Sequence, residues 1–533
     1  MPNNYFPNNP GNKSSMDNPA IQLFGNRLFM DQTVSELLVE FFLVALSPKR
    51  IGNQTEFKTA LPEFSTLSNW EEDEIAYAPM ARLNLKLFSF LGASRIESRH
   101  TIHRNHYREL RNLMAKKIRT SSDNDKDEII HSIEDLFVGF QGAGRGRTWC
   151  AQSFLPVSEN FLTGETIWSE KSARKLTDEN WLDVFTYFKM NQHAFLARGG
   201  ELIYLQLCNA LTVPQEDISH WCKTHKVGFT DDEQNPLWLH QELGSEFDRY
   251  TKQGPNTLNK LAEFVDTSLD RETSFNTDQS GDIRRFVTTG WCNKDSWKEG
   301  YLFGVELLRI FKSNLDIMDR ISLLESACAI QVLRTLALQS ARVNGTIHDS
   351  WPGFWLAVSA PEEKRPIIKR ISHQSVKGIE KHIFKALRNE NYVNLPMDDL
   401  IMREKILKTA DKGYGGKLFI GLAKKIGFIV PKHGGGARFI LNDQLLRLLV
   451  ISTLPSGGKL SYDSFKELLE RRYGIVLDAD GFNRASQWLT GNSLYLSNDT
   501  DDWFIEMLDA AGFLIHLSDS FALVHNPADS NKN

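Results

Sequence analysis

Lys412-Gly-Tyr-Gly-Gly-Lys417-Leu-Phe-Ile-Gly-Leu-Ala-Lys-Lys425-Ile-Gly-Phe-Ile-Val-Pro-Lys432-His-Gly-Gly-Gly-Ala-Arg438-Phe-Ile-Leu441 is the stretch on which the reading of this 533-residue chain turns. A short amphipathic helix, Lys417 to Ile426, runs into an apolar strand, a glycine hairpin and a second strand. That is the order of a recognition helix and its wing. At about 100° per residue, Phe419, Leu422, Ala423 and Ile426 fall on one side of the helix. Lys417, Gly421, Lys424 and Lys425 fall on the other. Gly421 puts no bulk between the lysines, so a phosphate can approach the backbone closely. Lys432, His433 and Arg438 surround the glycine tip. Between 410 and 440 the only acid is Asp411.

Lysine and arginine neutralise phosphates, and that term supplies most sequence-independent affinity for nucleic acid. No Arg, Asn or Gln lies within Lys417–Ile426, so the helix is poorly equipped to read bases. The competing reading is a solvated basic face on a hairpin that packs against another part of the chain.

A second hairpin, Phe513 to Val524, follows a helix from Asp502 to Ala511. Residues 396–533 therefore read as two tandem winged-helix-like units, with one α+β domain carrying two unrelated hairpins as the alternative. The electrostatics of the second unit are opposite. Asp499, Asp501, Asp502, Glu506 and Asp509 crowd its last helix beside Trp503 and Phe504. A protein contact suits it better than phosphate.

Upstream the periodicity is mostly helical. Thr33 and Glu36 form a capping-box pattern, Val34 to Ala45 trace an apolar face, and Pro48 stops the helix. A long apolar helix is expected from about Leu315 to Val343, before Asn344-Gly345. The chain thus reads as mainly α: a disordered tail over 1–20, a helical domain over 21–270, a second over 271–395, then the tandem region. Ser121–Glu128, Gly228–Pro236, Asp270–Asp282 and Ser359–Pro366 are the candidate linkers or surface loops.

Formal net charge is −5, so any polyanion must be met by local patches. The five cysteines form no Cys-x-x-Cys pair and read as small buried hydrophobes of a cytoplasmic chain with reduced thiols. The run Leu37 to Leu46 is too short to span a bilayer, and residues 1–19 lack the features of a signal peptide.

A second basic segment extends from Arg95 to Arg119. Arg104, Arg108 and Arg111 share a helical face at i, i+4 and i+7, flanked by Tyr107, Leu110 and Met114. A phosphate-tracking helix and a solvated surface helix are both open. His100, His103 and His106 in the same segment lack the carboxylate or thiol that would complete a metal set. The loop Gly139 to Trp149 is rich in glycine and offers Arg145 and Arg147 to an anion and Trp149 for stacking. It lacks the Lys-Ser/Thr ending of a nucleotide-binding P-loop, so no nucleotide cofactor is expected. A structural turn is the competing reading.

Three blocks carry a resemblance: Leu23-Phe-Gly-Asn-Arg-Leu-Phe29, Arg145-Gly-Arg-Thr-Trp-Cys-Ala-Gln-Ser-Phe-Leu-Pro156, and the terminal hairpin units. Together they resemble the large accessory proteins encoded beside helicases in bacterial anti-phage islands of the Druantia kind. The resemblance implies a cytoplasmic, non-catalytic subunit that contacts DNA and a helicase or effector partner. It carries no catalytic residue over. A metal-dependent nuclease with a scattered acidic site and a winged-helix transcription regulator are the alternatives.

Overall fold

Thr33 accepts a hydrogen bond from the Glu36 amide while the Glu36 carboxylate accepts from the Thr33 amide, so a complete capping box starts helix α1, Val34–Leu46. The computed structural model to which α1 belongs describes residues 5–8, 18–25, 28, 32–70, 74–80, 82–92, 101–120, 122–143, 153–165, 167–168, 188–189, 199–253, 256–268, 286–349, 351–396, 398–497, 499–518 and 521–527. It is mainly helical, with short strands. Helix α2, Gly199–Leu211, packs on α1, and α3, Trp297–Phe311, packs on α2.

These helices approach closely because glycine stands at the crossings. A Cβ on Gly200 would lie 2.4 Å from the Leu37 carbonyl oxygen, and one on Gly300 would lie 2.2 Å from that of Gln206. All 13 residues of α2 are buried, polar ones included. Glu201 accepts from the Gly290 amide at 2.6 Å and the Tyr77 hydroxyl at 3.2 Å. A buried carboxylate persists only with such partners.

Helix α4, Ile317–Val343, lies against α1, α2 and α3 and ends at Asn344, with Gly345 at φ +78°. Among the described residues it is the one helix long and apolar enough to cross a membrane. However, 89% of its apolar window is buried by the protein itself. Two more helices continue this framework, α5, Pro366–Ala386, and α6, Leu400–Ala410. A nine-residue π-helix, Asp411–Phe419, and α7, Ile420–Lys425, then lead into the antiparallel pair β1, Ile429–Val430, and β2, Arg438–Phe439.

Helix α8, Asp443–Thr453, packs on α3 and α4. After it come β3, Lys459–Ser461, α9, Tyr462–Tyr473, α10, Ala479–Thr490, and α11, Asp502–Ala510. The hairpin β4, Leu514–Ser518, and β5, Phe521–His525, completes an antiparallel sheet in the order β3-β5-β4.

One hydrophobic cluster runs from Phe6 to Val524. The divisions expected at 270 and 395 therefore do not separate independent cores: α3 joins α2 on one flank to α8 on the other. Gly228–Pro236, a candidate linker by composition, is an anchoring point instead. Its Glu233 binds Arg309 of α3 through two bonds of 2.7 and 2.6 Å, with both side chains almost wholly buried. Arg472 of α9 reaches the Val227 and Gly228 carbonyls at 2.8 and 3.1 Å. Both arginines also donate to the Ser452 carbonyl, at the negative end of α8. Nor is 1–20 simply a tail. Tyr5 and Phe6 are buried and pair with Asn293 and Cys292 in an antiparallel strand, and Pro19–Phe24 is a helix. The candidate loop Asp270–Asp282 lies outside the described residues.

Two predictions follow from this packing. Replacing Glu233 by Gln leaves Arg309 and Arg472 buried without their shared counter-charge. It should cost about 3–5 kcal/mol, read as a large fall in the thermal midpoint; an unchanged midpoint would refute the anchoring role.

The second concerns acid. Burial pulls His106 and His382 down to about 4, the latter helped by Lys385 nearby. Between that value and the ordinary 6.5 the unfolded chain binds protons that the folded chain does not. Stability should therefore fall as pH drops through this window, by on the order of 2 kcal/mol per histidine between pH 7 and 5. Urea unfolding at the two pH values should show the loss, and His106→Asn should shrink it.

Candidate nucleic-acid interface

Residues 400–425 form one continuous helical run that changes pitch. Asp399 caps it by accepting from the Met402 amide at 2.9 Å. The π-helix begins at Asp411 and holds Gly413, Gly415 and Gly416. Gly415 lies so near α5 that a Cβ there would stand 2.5 Å from the Phe384 ring. Tyr414, Leu418 and Phe419 point inward, and Tyr414 stacks on Phe24 with ring centroids 6.0 Å apart. The apolar side of this run is thus fixed, and its polar side faces out.

That outward side carries a groove of about 620 Å³ lined by Ile401, Glu404, Lys405, Lys408, Thr409, Lys412 and Lys417. Lys405, Lys408 and Lys412 share a face at i, i+3 and i+7. In an α-helix Lys417 would stand about 140° away from Lys412. Hydrogen bonding from i to i+5 in the π-helix turns it back towards the groove. Four lysines therefore line the groove with one acid, Glu404, which pairs with Lys408 at 2.8 Å while both remain exposed. Asp411 is held by a two-pronged contact with Arg388, just beyond the end of α5. Such a surface can neutralise several phosphates in a row.

The expected hairpin is present, with strands of two residues each. Phe419, Leu422 and Ala423 are buried, and a Cβ on Gly421 would meet nothing within 4 Å. Lys417 is exposed, as are Lys432 and His433 at the hairpin tip. Lys424 donates to the Lys432 carbonyl at 3.3 Å, and Lys425 donates to the Gln32 carbonyl at 2.5 Å. Arg438 departs from the expectation. It donates to Ser359 Oγ at 3.0 Å and to the Ala360 and Pro361 carbonyls at 3.1 and 2.7 Å. It clamps the hairpin onto the 359–361 loop, because the β1–β2 pair alone is too short to hold its place.

The second basic segment is a helix, Thr101–Lys117, but its three arginines do not act as a row. Arg108 is exposed and Arg104 half-buried. Arg111 turns to the neighbouring helix Asp123–Gly139, where it meets Asp127 at 3.2 Å and Glu134 at 3.5 Å. Tyr107, Leu110 and Met114 are buried as their spacing indicates. His106 is also in the core, 2.9 Å from Asn84 Oδ1. Among the described residues no group of three or more His, Cys, Asp or Glu side chains is placed to hold a metal ion.

Arg145, Arg147 and Trp149 lie outside the described residues, as does Cys150. Just before them, Gln141–Ala143 pairs with Ser153–Phe154. Cys208, Cys222, Cys292 and Cys328 are buried, and burial pushes each thiol up, Cys208 and Cys222 to about 12. None of the four is a ready nucleophile.

The residues missed from sequence are Lys405 and Lys408. Their spacing to Lys412 was a helical signal, hidden because the glycines after Lys412 suggested a loop rather than a change of pitch. No protein-family model, no curated protein and no solved structure matches the chain.

Proposed function

We propose that this protein engages nucleic acid through its phosphates, as a non-catalytic, DNA-contacting subunit of a multi-protein bacterial anti-phage system that works with a helicase or effector. The lysine-lined groove of α6 and the π-helix is the observation that carries the nucleic-acid reading. Lys432 and His433 on the exposed hairpin tip extend it. Because the groove offers ammonium groups and no Arg, Asn or Gln, binding is indifferent to base sequence. The defence role rests on the sequence resemblance.

The region from α8 to β5 runs helix, strand, helices, hairpin, with its first strand paired to the last. We read it as a winged helix. Its final helix α11 exposes Asp502, Glu506 and Asp509. These acids repel phosphate, so the helix that would enter a groove of DNA in such a unit suits a protein partner instead.

Lys412→Glu together with Lys417→Glu should weaken binding of unrelated DNA sequences alike, by roughly 50-fold at 0.1 M salt. The slope of log affinity against log salt should flatten by about 2. Fluorescence anisotropy across a salt series measures both. Unchanged affinity and slope in a folded variant would remove the groove from consideration. In cells carrying the native gene neighbourhood, the same variant should restore phage plaques if binding serves defence.

A further inference from the structure

Helix α5 has a second basic surface that the groove does not use. Ile368, Ile371, Val376, Ile379, Ile383 and Ala386 are buried on its inner side. Arg370, Lys377, Lys381 and Lys385 are exposed on its outer side, and Arg388 follows just beyond its end. The span from Arg370 to Arg388 is about 27 Å at the helical rise. The only acid on the helix, Glu380, pairs with Lys377 at 2.8 Å. Among the described residues Arg370, Lys381 and Lys385 have no ion-pair partner. Lysines at 377, 381 and 385 repel one another at i, i+4 spacing and so weaken the helix locally. An ordinary solvated helix face mixes the two signs of charge.

Both flanks of this stripe are defined. On one side lies the π-helix, where Gly415 touches Phe384, a Cβ on Gly416 would stand 3.6 Å from Glu380 Oε1, and Asp411 meets Arg388. Lys412 and Lys417 therefore border the stripe. On the other side lies α10, with Leu489 and Trp488 against Gly378. Beyond α10, Leu494 and Leu496 pack against the cluster that contains Ile368 and Ile371. Tyr495, between them, is 90% exposed. Its neighbours hold its backbone to the protein while its ring stands in solvent near the N-terminal end of α5.

We propose that the outer face of α5, with Tyr495 at one end and Lys412 and Lys417 beside the other, is a track for single-stranded nucleic acid. The cations take successive phosphates, and Tyr495 stacks on an unpaired base, which a duplex keeps covered. This inference rests on the phosphate-binding reading above.

Anisotropy with a labelled oligo-dT strand and with a blunt duplex of equal charge tests it. Lys377→Glu, Lys381→Glu and Lys385→Glu combined should flatten the salt slope for the single strand by about 2. Tyr495→Ala should weaken the single strand roughly tenfold and leave the duplex unchanged, and Tyr495→Phe should restore it. If the triple variant does not fold, Lys381→Gln alone should still flatten the slope by a part of that amount. If Lys412→Glu with Lys417→Glu weakens binding while the α5 and Tyr495 variants leave the single strand untouched, the track is wrong and the groove stands. If Tyr495→Ala weakens duplex and single strand equally, the single-strand assignment is wrong. If no variant changes either, both readings fall.

Discussion

Two arginines drawn to one helix end hold this molecule together. Arg309 and Arg472 come from α3 and α9, and both donate to the last carbonyls of α8. Glu233 and the Val227 and Gly228 carbonyls complete the shell. Burial, together with the charge of Arg309, presses against the positive charge of Arg472. The arrangement survives because every guanidinium edge has an oxygen to meet and because aromatic faces close it off. Phe229 lies 4.9 Å from the Arg472 guanidinium carbon, and Tyr473 lies 4.8 Å from that of Arg334. Arg334 in turn grips Glu306 of α3 through two bonds of 2.8 Å. The helices α3, α4, α8 and α9 are thereby locked at fixed angles, and the α5 to β2 region packs on the body so formed.

What local pattern determines could be read from the sequence, and what distant partners determine could not. The capping box at Thr33 and Glu36, the Asn-Gly stop after Val343 and both terminal hairpins are written in neighbouring residues, and they occur where expected. Helix α2 is buried on every side, so it has no polar stripe to give it a period. Gly228–Pro236 has the composition of a linker, yet the arginines that meet Glu233 and the adjoining carbonyls stand 76 or more residues away. Arg438 counted as free charge until the loop that accepts its hydrogen bonds was in place. Of the lysines that line the groove, Lys412 and Lys417 lie in the basic stretch legible in the sequence. Gly415, inside the π-helix that carries Lys417, lies against Phe384, a contact invisible to local periodicity.

The C-terminal half therefore has an electrostatic polarity. The face built by α5, α6 and the π-helix gathers positive charge, while α11 shows acids to solvent. Both rest on one hydrophobic cluster, which takes in Ile379 and Ile383 of α5 and Phe504 and Leu508 of α11. Arg365 marks the border. It binds Glu363 at 2.9 Å and lies 3.8 Å from Asp499.

The distance along the chain between Arg472 and Val227 bears on how the protein is made. They are 245 residues apart. At ribosomal speed that interval lasts roughly 12–50 s, and for much of it α3 has been synthesised without α8 to cover it. The nascent polypeptide must carry a large apolar surface through that interval. The bonds from Arg472 to the Val227 and Gly228 carbonyls form only when the stretch containing Arg472 emerges from the exit tunnel, so completing this part of the core waits on nearly the whole chain.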